Sequence, residues 1–314
     1  MIKIDLLKKW QIEEFGEEQK GILMIVWLEN RTIIGKKMNR GIYAIIVIGE
    51  SLSGEKNLIL ISEIIRKCGK NVIGENKKMH YVVSDIHGEY ELFIRLLKEI
   101  NLKKTDTLYV LGDILDRGPH PILVILKLME MPNVVCLTGN HELMAIECLE
   151  FLMQEITEVS IEKVDEKMIE NLANWQYNGS KSTIDEFQKL SREMQYEVIE
   201  FIKDFMIYEE LTINGKDYLL VHGGLGNYYP GKDIEEYSLK ELVWDRAEYD
   251  IQYFEDTYVV TGHTPTQGIM GNPRPGYVYK ENHHIAIDCG CNQRNGRLAA
   301  ICLDTGWEYY VEKS

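Results

Sequence analysis

Five short segments of this chain carry side chains that could do chemistry together. They are Ser84-Asp85-Ile86-His87-Gly88, Gly112-Asp113-Ile114-Leu115-Asp116-Arg117-Gly118, Gly139-Asn140-His141-Glu142, Val221-His222-Gly223-Gly224 and Gly262-His263-Thr264-Pro265-Thr266. Their donors are carboxylates, imidazoles and an amide, without thiolate, a set suited to manganese, iron or zinc at a hydrolytic centre. Singly, each reads as a turn, a loop or a capped helix start. Five in this order, each behind an apolar run, point instead to one shared site, with glycines that let the backbone turn sharply beside the donors. The remaining histidines, His80, His120, His283 and His284, have no such setting and are assigned no role.

Residues spread from Asp85 to His263 can meet only if the fold gathers them. From Met79 the pattern alternates: strand at His80–Asp85, helix at Glu89–Ile100, strand at Thr107–Asp113, helix at Pro121–Met131, strand at Asn133–Asn140, helix at Glu142–Met153. That is a repeated βαβ unit with a mainly parallel sheet, whose strands deliver their carboxyl ends to one crevice. In the first helix Leu92, Phe93, Leu96, Leu97 and Ile100 form an apolar stripe. Residues 154–205 are charged and amphipathic, with Ile161, Val164, Met168, Leu172 and Trp175 on one stripe, and read as a helical cap. Beyond them the period falls to two. Asn214-Gly215 marks a tight hairpin, and strand-like runs continue to the C-terminus.

The first 78 residues hold apolar runs that could be strands and a helix-like stretch at Asn57–Gly69, but no chemical constellation. Gly49–Lys56 falls short of a phosphate-binding loop, because Glu55 stands where Lys must follow the second glycine. The strand behind Asp85 begins directly after Met79, and Gly74–Lys78 can be encoded as a purine-rich ribosome-binding sequence with an A-rich spacer. Met79 is therefore a candidate translation start, with residues 1–78 an extension dispensable for catalysis or, alternatively, an accessory domain.

The motifs resemble those of the metallophosphoesterase superfamily, specifically its phosphoprotein phosphatase branch, which pairs D-x-H-G, G-D-x-x-D-R-G, G-N-H-E, H-G-G and a late G-H. Leu242–Tyr249 and Gly262–Thr266 are similar to the bacteriophage lambda type of serine/threonine protein phosphatase. The likeness spans Met79 to about Val311, and departs at Ser84, at Ala247 and at Asp288–Gly296. It implies a four-layer α/β/β/α sandwich over residues 79–314. It also implies two divalent cations, manganese foremost with iron or zinc as alternatives, held by Asp85, His87, Asp113, Asn140, His222 and His263. Asp113 would bridge the pair, and Thr264-Pro265 stands where nuclease-like members carry a further histidine. Hydrolysis would be direct, with a cation-activated water as nucleophile. His141 would be the general acid, oriented by Asp116, while Arg117 and Arg246 would clamp phosphoryl oxygens and Glu142 would steady the loops.

The expected activity is hydrolysis of phosphoserine and phosphothreonine in proteins, extending to phosphotyrosine. A diadenosine tetraphosphate hydrolase is the alternative, for which Trp175, Tyr177, Trp244 and Tyr249 could stack a base. A noncatalytic phosphate-binding module is the alternative of another class, but it would be expected to have lost a ligand, His141 or an arginine. A net charge of -15 argues against nucleic acid or an anionic membrane as a stable partner. The longest apolar runs, Ile22–Leu28 and Ile42–Ile48, are too short to span a bilayer. No signal-peptide pattern opens the sequence, and six cysteines without a completed zinc pattern read as reduced thiols, so a cytoplasmic location is expected.

Overall fold

The computed structural model describes residues 78–153 and 166–313, together with four strands near the N-terminus. The chain divides into two compact units, Met1–Lys77 and Lys78–Ser314. In the first, β1 (Trp10–Glu14), β2 (Gly21–Leu28), β3 (Arg31–Met38) and β4 (Gly41–Ile48) form an antiparallel sheet in sequence order. Leu28 pairs with Arg31 and Met38 with Gly41, so the apolar runs of the sequence are consecutive hairpin strands. The helix-like stretch at 57–69 and the Gly49–Lys56 turn lie outside the described residues, as do Ile161 and Val164.

The second unit is built on two five-stranded sheets. One contains β5 (His80–Val83), β6 (Thr107–Leu111) and β7 (Val134–Leu137) in parallel, extended past β5 by the antiparallel pair β13 (Arg297–Cys302) and β14 (Glu308–Glu312). The other contains β9 (Lys216–Val221), β10 (Thr257–Thr261) and β12 (His284–Ala286) in parallel, edged by β8 (Tyr208–Ile213) and β11 (Tyr279–Glu281). β8 and β9 are the predicted hairpin, with Asn214 at φ 54° and Gly215 at φ 76°, the pair of positive values a type I′ turn requires.

Strand alternation explains how the layers stack. On β9, Tyr218 and Leu220 face the first sheet with Val260 and Ile285, against Val82, Tyr109, Leu111 and Ile301. Leu219, Val221, Val259 and Ala286 face the other way, into a second cluster with Leu242, Val243 and Tyr249. Strands buried on both faces read as near-continuous apolar runs, which is why "LLV" and "YVV" carry no polar alternation. Each fully buried aliphatic side chain between the sheets contributes roughly 1.5–3 kcal/mol.

The first sheet is covered by α1 (Tyr90–Ile100), α2 (Pro121–Met129) and α3 (Asn140–Leu152). α1 buries Leu92, Phe93, Leu96 and Ile100 from the predicted stripe and closes on Asn101, left-handed at φ 51°. The outer face of the second sheet carries the short α7 (Leu239–Val243) and irregular chain around Tyr249 and Tyr253. Between α3 and β8 lie α4 (Glu166–Tyr177), α5 (Lys181–Phe187) and α6 (Arg192–Lys203). α4 and α6 pack on α3, and α5 packs on α2, so the insertion lies against the helices of the first sheet. No helix among the described residues is long and apolar enough to cross a membrane.

Candidate active site

All six parallel strands, three from each sheet, lead into one crevice. β5 leads to Asp85 and His87, β6 to Asp113, β7 to Asn140, β9 to His222, β10 to His263 and β12 to Asp288. The turns that follow are tight. Asp85, His87, Asp113, Asp116, Arg117 and His263 all adopt positive φ, between 43° and 68°. Such backbone costs about 1–3 kcal/mol per residue unless its surroundings hold it, and it concentrates at functional sites. Here the turns hold one another: the Asp85, His87 and Gly88 N–H groups donate to the carbonyls of Gly112 (3.1 Å), Asp113 (2.9 Å) and Ile114 (2.9 Å). Gly262 leaves room for the donors, since a Cβ there would lie 1.9 Å from Ser84 Oγ and 2.3 Å from Asp85 Oδ2 and would force both side chains to shift.

Asp113 is the centre of the arrangement. Its Oδ1 lies 3.3 Å from His222 Nε2, and its Oδ2 lies 3.6 Å from His87 Nε2 and 3.9 Å from His141 Nε2. Two groups of metal-ligating atoms share this carboxylate, His87 with Asp113 and His141, and Asp113 with His222 and His263, each within 4.8 Å. Asp85 stands beside them, its Oδ2 accepting the Ser84 hydroxyl and the His263 N–H at 3.0 Å.

The donor chemistry fits divalent cations. His87 Nδ1 donates to the Leu115 carbonyl at 2.9 Å and His222 Nδ1 to the Leu111 carbonyl at 2.6 Å. A carbonyl can only accept, so both protons sit on Nδ1 and both Nε2 lone pairs face Asp113. Asn140 Oδ1, 3.2 Å from His222 Nε2, adds another lone pair. At His222 Nε2, Asn140 Oδ1 and Asp113 Oδ1 the electron pairs converge in a buried space without a proton between them, and such pairs repel unless a cation joins them. The acids show the same need. Burial, then the charges of Asp288 and Asp113, push the Asp85 carboxyl well above the usual range. Asp113 is pulled well below it: burial opposes its charge, but His222, His141, His87 and His263 outweigh burial. Burial holds His87 far below its ordinary value and, with the neighbouring His222 imidazole, lowers His263 to about 3, so both rings are neutral donors.

A second constellation borders the first. His141 Nδ1 bonds Asp116 Oδ2 at 2.6 Å, and both residues are wholly buried. Burial disfavours the charged ring, but the charge of Asp113 and the bond to Asp116 outweigh burial, so its pKa is raised. Arg117 reaches between two imidazoles, 2.8 Å from both His87 Nε2 and His141 Nε2. Glu142 gathers four backbone N–H groups: Asp113 at 2.7 Å and Gly139 at 2.9 Å on one oxygen, Ile114 at 2.9 Å and Leu115 at 3.1 Å on the other. It ties the Asp113 turn to the start of α3, the steadying role its sequence position suggests.

With this geometry, residues 81–286 match the calcineurin-like phosphoesterase family. The chain is a member of that family. Serine/threonine-protein phosphatase 2 of Escherichia coli (strain K12) is 31% identical over 196 residues, which are 58% of this chain and 78% of that protein. The symmetrical bis(5'-nucleosyl)-tetraphosphatase of Acidovorax ebreus is 45% identical over 65 residues, only 20% of this chain and 23% of that protein. A crystal structure described as that of a candidate diadenosine tetraphosphatase superposes with a TM-score of 0.52 at 17% identity, over 76% of this chain and 94% of that one. At that identity the likeness is one of fold.

This calcineurin-like phosphoesterase also holds features that its motifs did not announce. Asp288 is buried beside the centre and accepts the Gly290 N–H at 2.8 Å. Burial pushes its carboxyl up to about 6 against that bond, with Asp113 adding to the rise. An acid directly behind the apolar run at His284–Ile287 was the available signal, the same one that marks Asp85 and Asp113. Trp175 corrects an expectation. It is fully buried, with its indole N–H 2.8 Å from Asp116 Oδ2, and is not free to stack on a base. Tyr249 is also buried, bonded to Thr261 Oγ1 at 3.1 Å, whereas Tyr177 is exposed. Arg246 opens onto a cavity of about 640 Å³ lined also by Glu248, Asp250, Tyr279 and Glu281. His284 serves the fold, its Nε2 donating to the Ile251 carbonyl at 2.8 Å.

Proposed function

We propose that this phosphoesterase hydrolyses phosphoserine and phosphothreonine in proteins. The observation that carries the substrate class is the cavity at Arg246. Three of its lining side chains, Glu248, Asp250 and Glu281, are acids beside Arg246, the arginine to which this reading gives the phosphoryl oxygens. A dinucleoside polyphosphate would have to lay further phosphates along the site, and acids there repel them. A phosphoprotein segment with lysine or arginine near its phosphorylated residue is attracted instead. The extent of the similarity to serine/threonine-protein phosphatase 2 supports the same reading.

In this reading His87, Asp113, Asn140, His222 and His263, with Asp85 adjoining, hold two divalent cations, of which manganese is our choice. Those cations supply the positive charge that makes water nucleophilic near neutral pH and neutralises the phosphoryl oxygens. The rest falls to the chain's own residues. Arg117 and Arg246 grip non-bridging oxygens with a planar fork, and a phosphoryl oxygen is a stronger acceptor for Arg117 than the imidazoles it contacts here. His141, its Nδ1 fixed by Asp116, carries a proton at Nε2 to the leaving oxygen.

The test is direct. Chelated and dialysed protein is reconstituted with manganese, then given phosphoserine peptides with flanking lysines and diadenosine tetraphosphate side by side. Preferential hydrolysis of the peptides, lost on chelation, is expected. Faster hydrolysis of the dinucleotide would overturn the assignment, and undiminished activity without metal would overturn the chemistry.

A further inference from the structure

Asp116 is addressed by the helices of the insertion as well as by His141. Its Oδ2 accepts the Trp175 indole N–H at 2.8 Å alongside His141 Nδ1, and its Oδ1 accepts the Thr183 hydroxyl at 2.6 Å. The Thr183 oxygen in turn accepts the Asp116 N–H at 3.0 Å, and the Arg117 N–H donates to the Gly179 carbonyl at 3.0 Å. Trp175, Gly179 and Thr183 recur at four-residue intervals across the end of α4 and the start of α5, so one short segment docks on the Asp116-Arg117 turn. Gly179, at φ +102°, permits the approach, because a Cβ there would meet Arg117 Cγ at 3.0 Å.

We propose that Trp175 and Thr183 are positioning residues for proton transfer to the leaving group. The terminal torsion of an aspartate is broad and roughly two-fold, so one bond to His141 would leave the Asp116 carboxylate free to turn. Donors on both oxygens fix its plane. The carboxylate then sets the direction of the His141 ring, and with it the line from Nε2 to the leaving oxygen. Asp116, Trp175 and Thr183 are all fully buried, so no water takes the place of a missing donor without a cavity to hold it. A tryptophan whose only task is to fill space needs any acceptor for its N–H. This one uses the carboxylate that orients the proposed acid.

The inference rests on the reading of His141 as proton donor, and the experiment separates the two. Full-length protein loaded with manganese is assayed on aryl phosphates of graded leaving-group pKa and on an alkyl phosphate. The variants are Trp175→Phe, Thr183→Val, Thr183→Ser and His141→Asn, each with its bound metal measured. Trp175→Phe and Thr183→Val should lower kcat roughly 10- to 100-fold for the alkyl phosphate, the scale of a misaligned reacting group, and far less for the best leaving groups. Thr183→Ser, which keeps the hydroxyl, should restore most of the loss at equal metal content. If His141→Asn steepens the dependence on leaving group while Trp175→Phe and Thr183→Val slow all substrates equally or not at all, the positioning role is refuted alone. If His141→Asn shows no such dependence, the underlying reading fails and the positioning role with it. Should the tryptophan variant not fold, the Thr183 pair decides by itself.

Discussion

Glu142 offers the sharpest quantitative test of how the site is held. Its two oxygens accept the N–H groups of Asp113, Gly139, Ile114 and Leu115, all within 2.7–3.1 Å, and the side chain is fully buried. Glu142→Gln keeps the shape but turns one acceptor into an NH2 group. Whichever way the amide lies, two buried N–H groups lose their acceptor and face a donor. At about 1–3 kcal/mol for each unsatisfied buried group, the loss is roughly 2–6 kcal/mol. One effect opposes it: burial and then the charge of Asp113 hold the Glu142 carboxyl above its ordinary range, so neutralising it relieves repulsion. Cations beside Asp113 would already screen that repulsion, so the loss should be larger with metal than after chelation. Urea unfolding of both forms measures it, and for a domain of this size the thermal midpoint should fall by roughly 2–4 °C per kcal/mol. Metal affinity should weaken too, because the Asp113 N–H is one of the four. A Glu142→Gln protein within about 1 kcal/mol of wild type, at full metal content, would refute the argument.

Gly262→Ala should fold yet lose divalent-metal affinity, because its Cβ would displace Ser84 Oγ and Asp85 Oδ2; calorimetric titration giving the wild-type affinity would contradict this. Burial pushes the Cys148 thiol up to about 11 and raises those of Cys136, Cys289 and Cys291, so native protein at pH 8 should alkylate slowly at all four, faster as pH rises. Peptide mapping checks this, and prompt labelling of buried Cys291 would oppose it. A chain beginning at Met79 should keep metal-dependent hydrolysis, since every residue of the candidate site lies beyond it. Insolubility or inactivity of that chain would make residues 1–78 structural, and abundant native peptides from that stretch would refute a start at Met79.

What the sequence revealed and what it hid divide along the range of the interactions. Asp85, Asp113 and His263 were legible because each follows a β-run directly, and the end of a parallel strand is itself a location. The Asn214-Gly215 hairpin was legible because a two-residue turn states its own geometry. Trp175 was misread as available for a ligand because its spacing with Leu172 and Met168 describes only a helix face. Its bond to Asp116 crosses 59 residues, and no local pattern encodes it. Asp288 was passed over because small residues followed it, although the rule that found Asp113 applied equally. The split of Asp113 between two groups of candidate ligands depends on carbonyls of Leu111 and Leu115 fixing imidazole protons, and backbone acceptors have no signature in side-chain identity.

The left-handed turns at the crevice bear on how this protein could be engineered. Asp85, His87, Asp113, Asp116, Arg117 and His263 occupy backbone that glycine tolerates and other residues resist. A selection scored only on heat resistance would therefore tend to collect glycine at these places, each change relaxing a turn while deleting a functional group. Hardening this enzyme calls for libraries that leave the six positions untouched and seek their gains between the sheets or at helix ends, and for a turnover readout in every round.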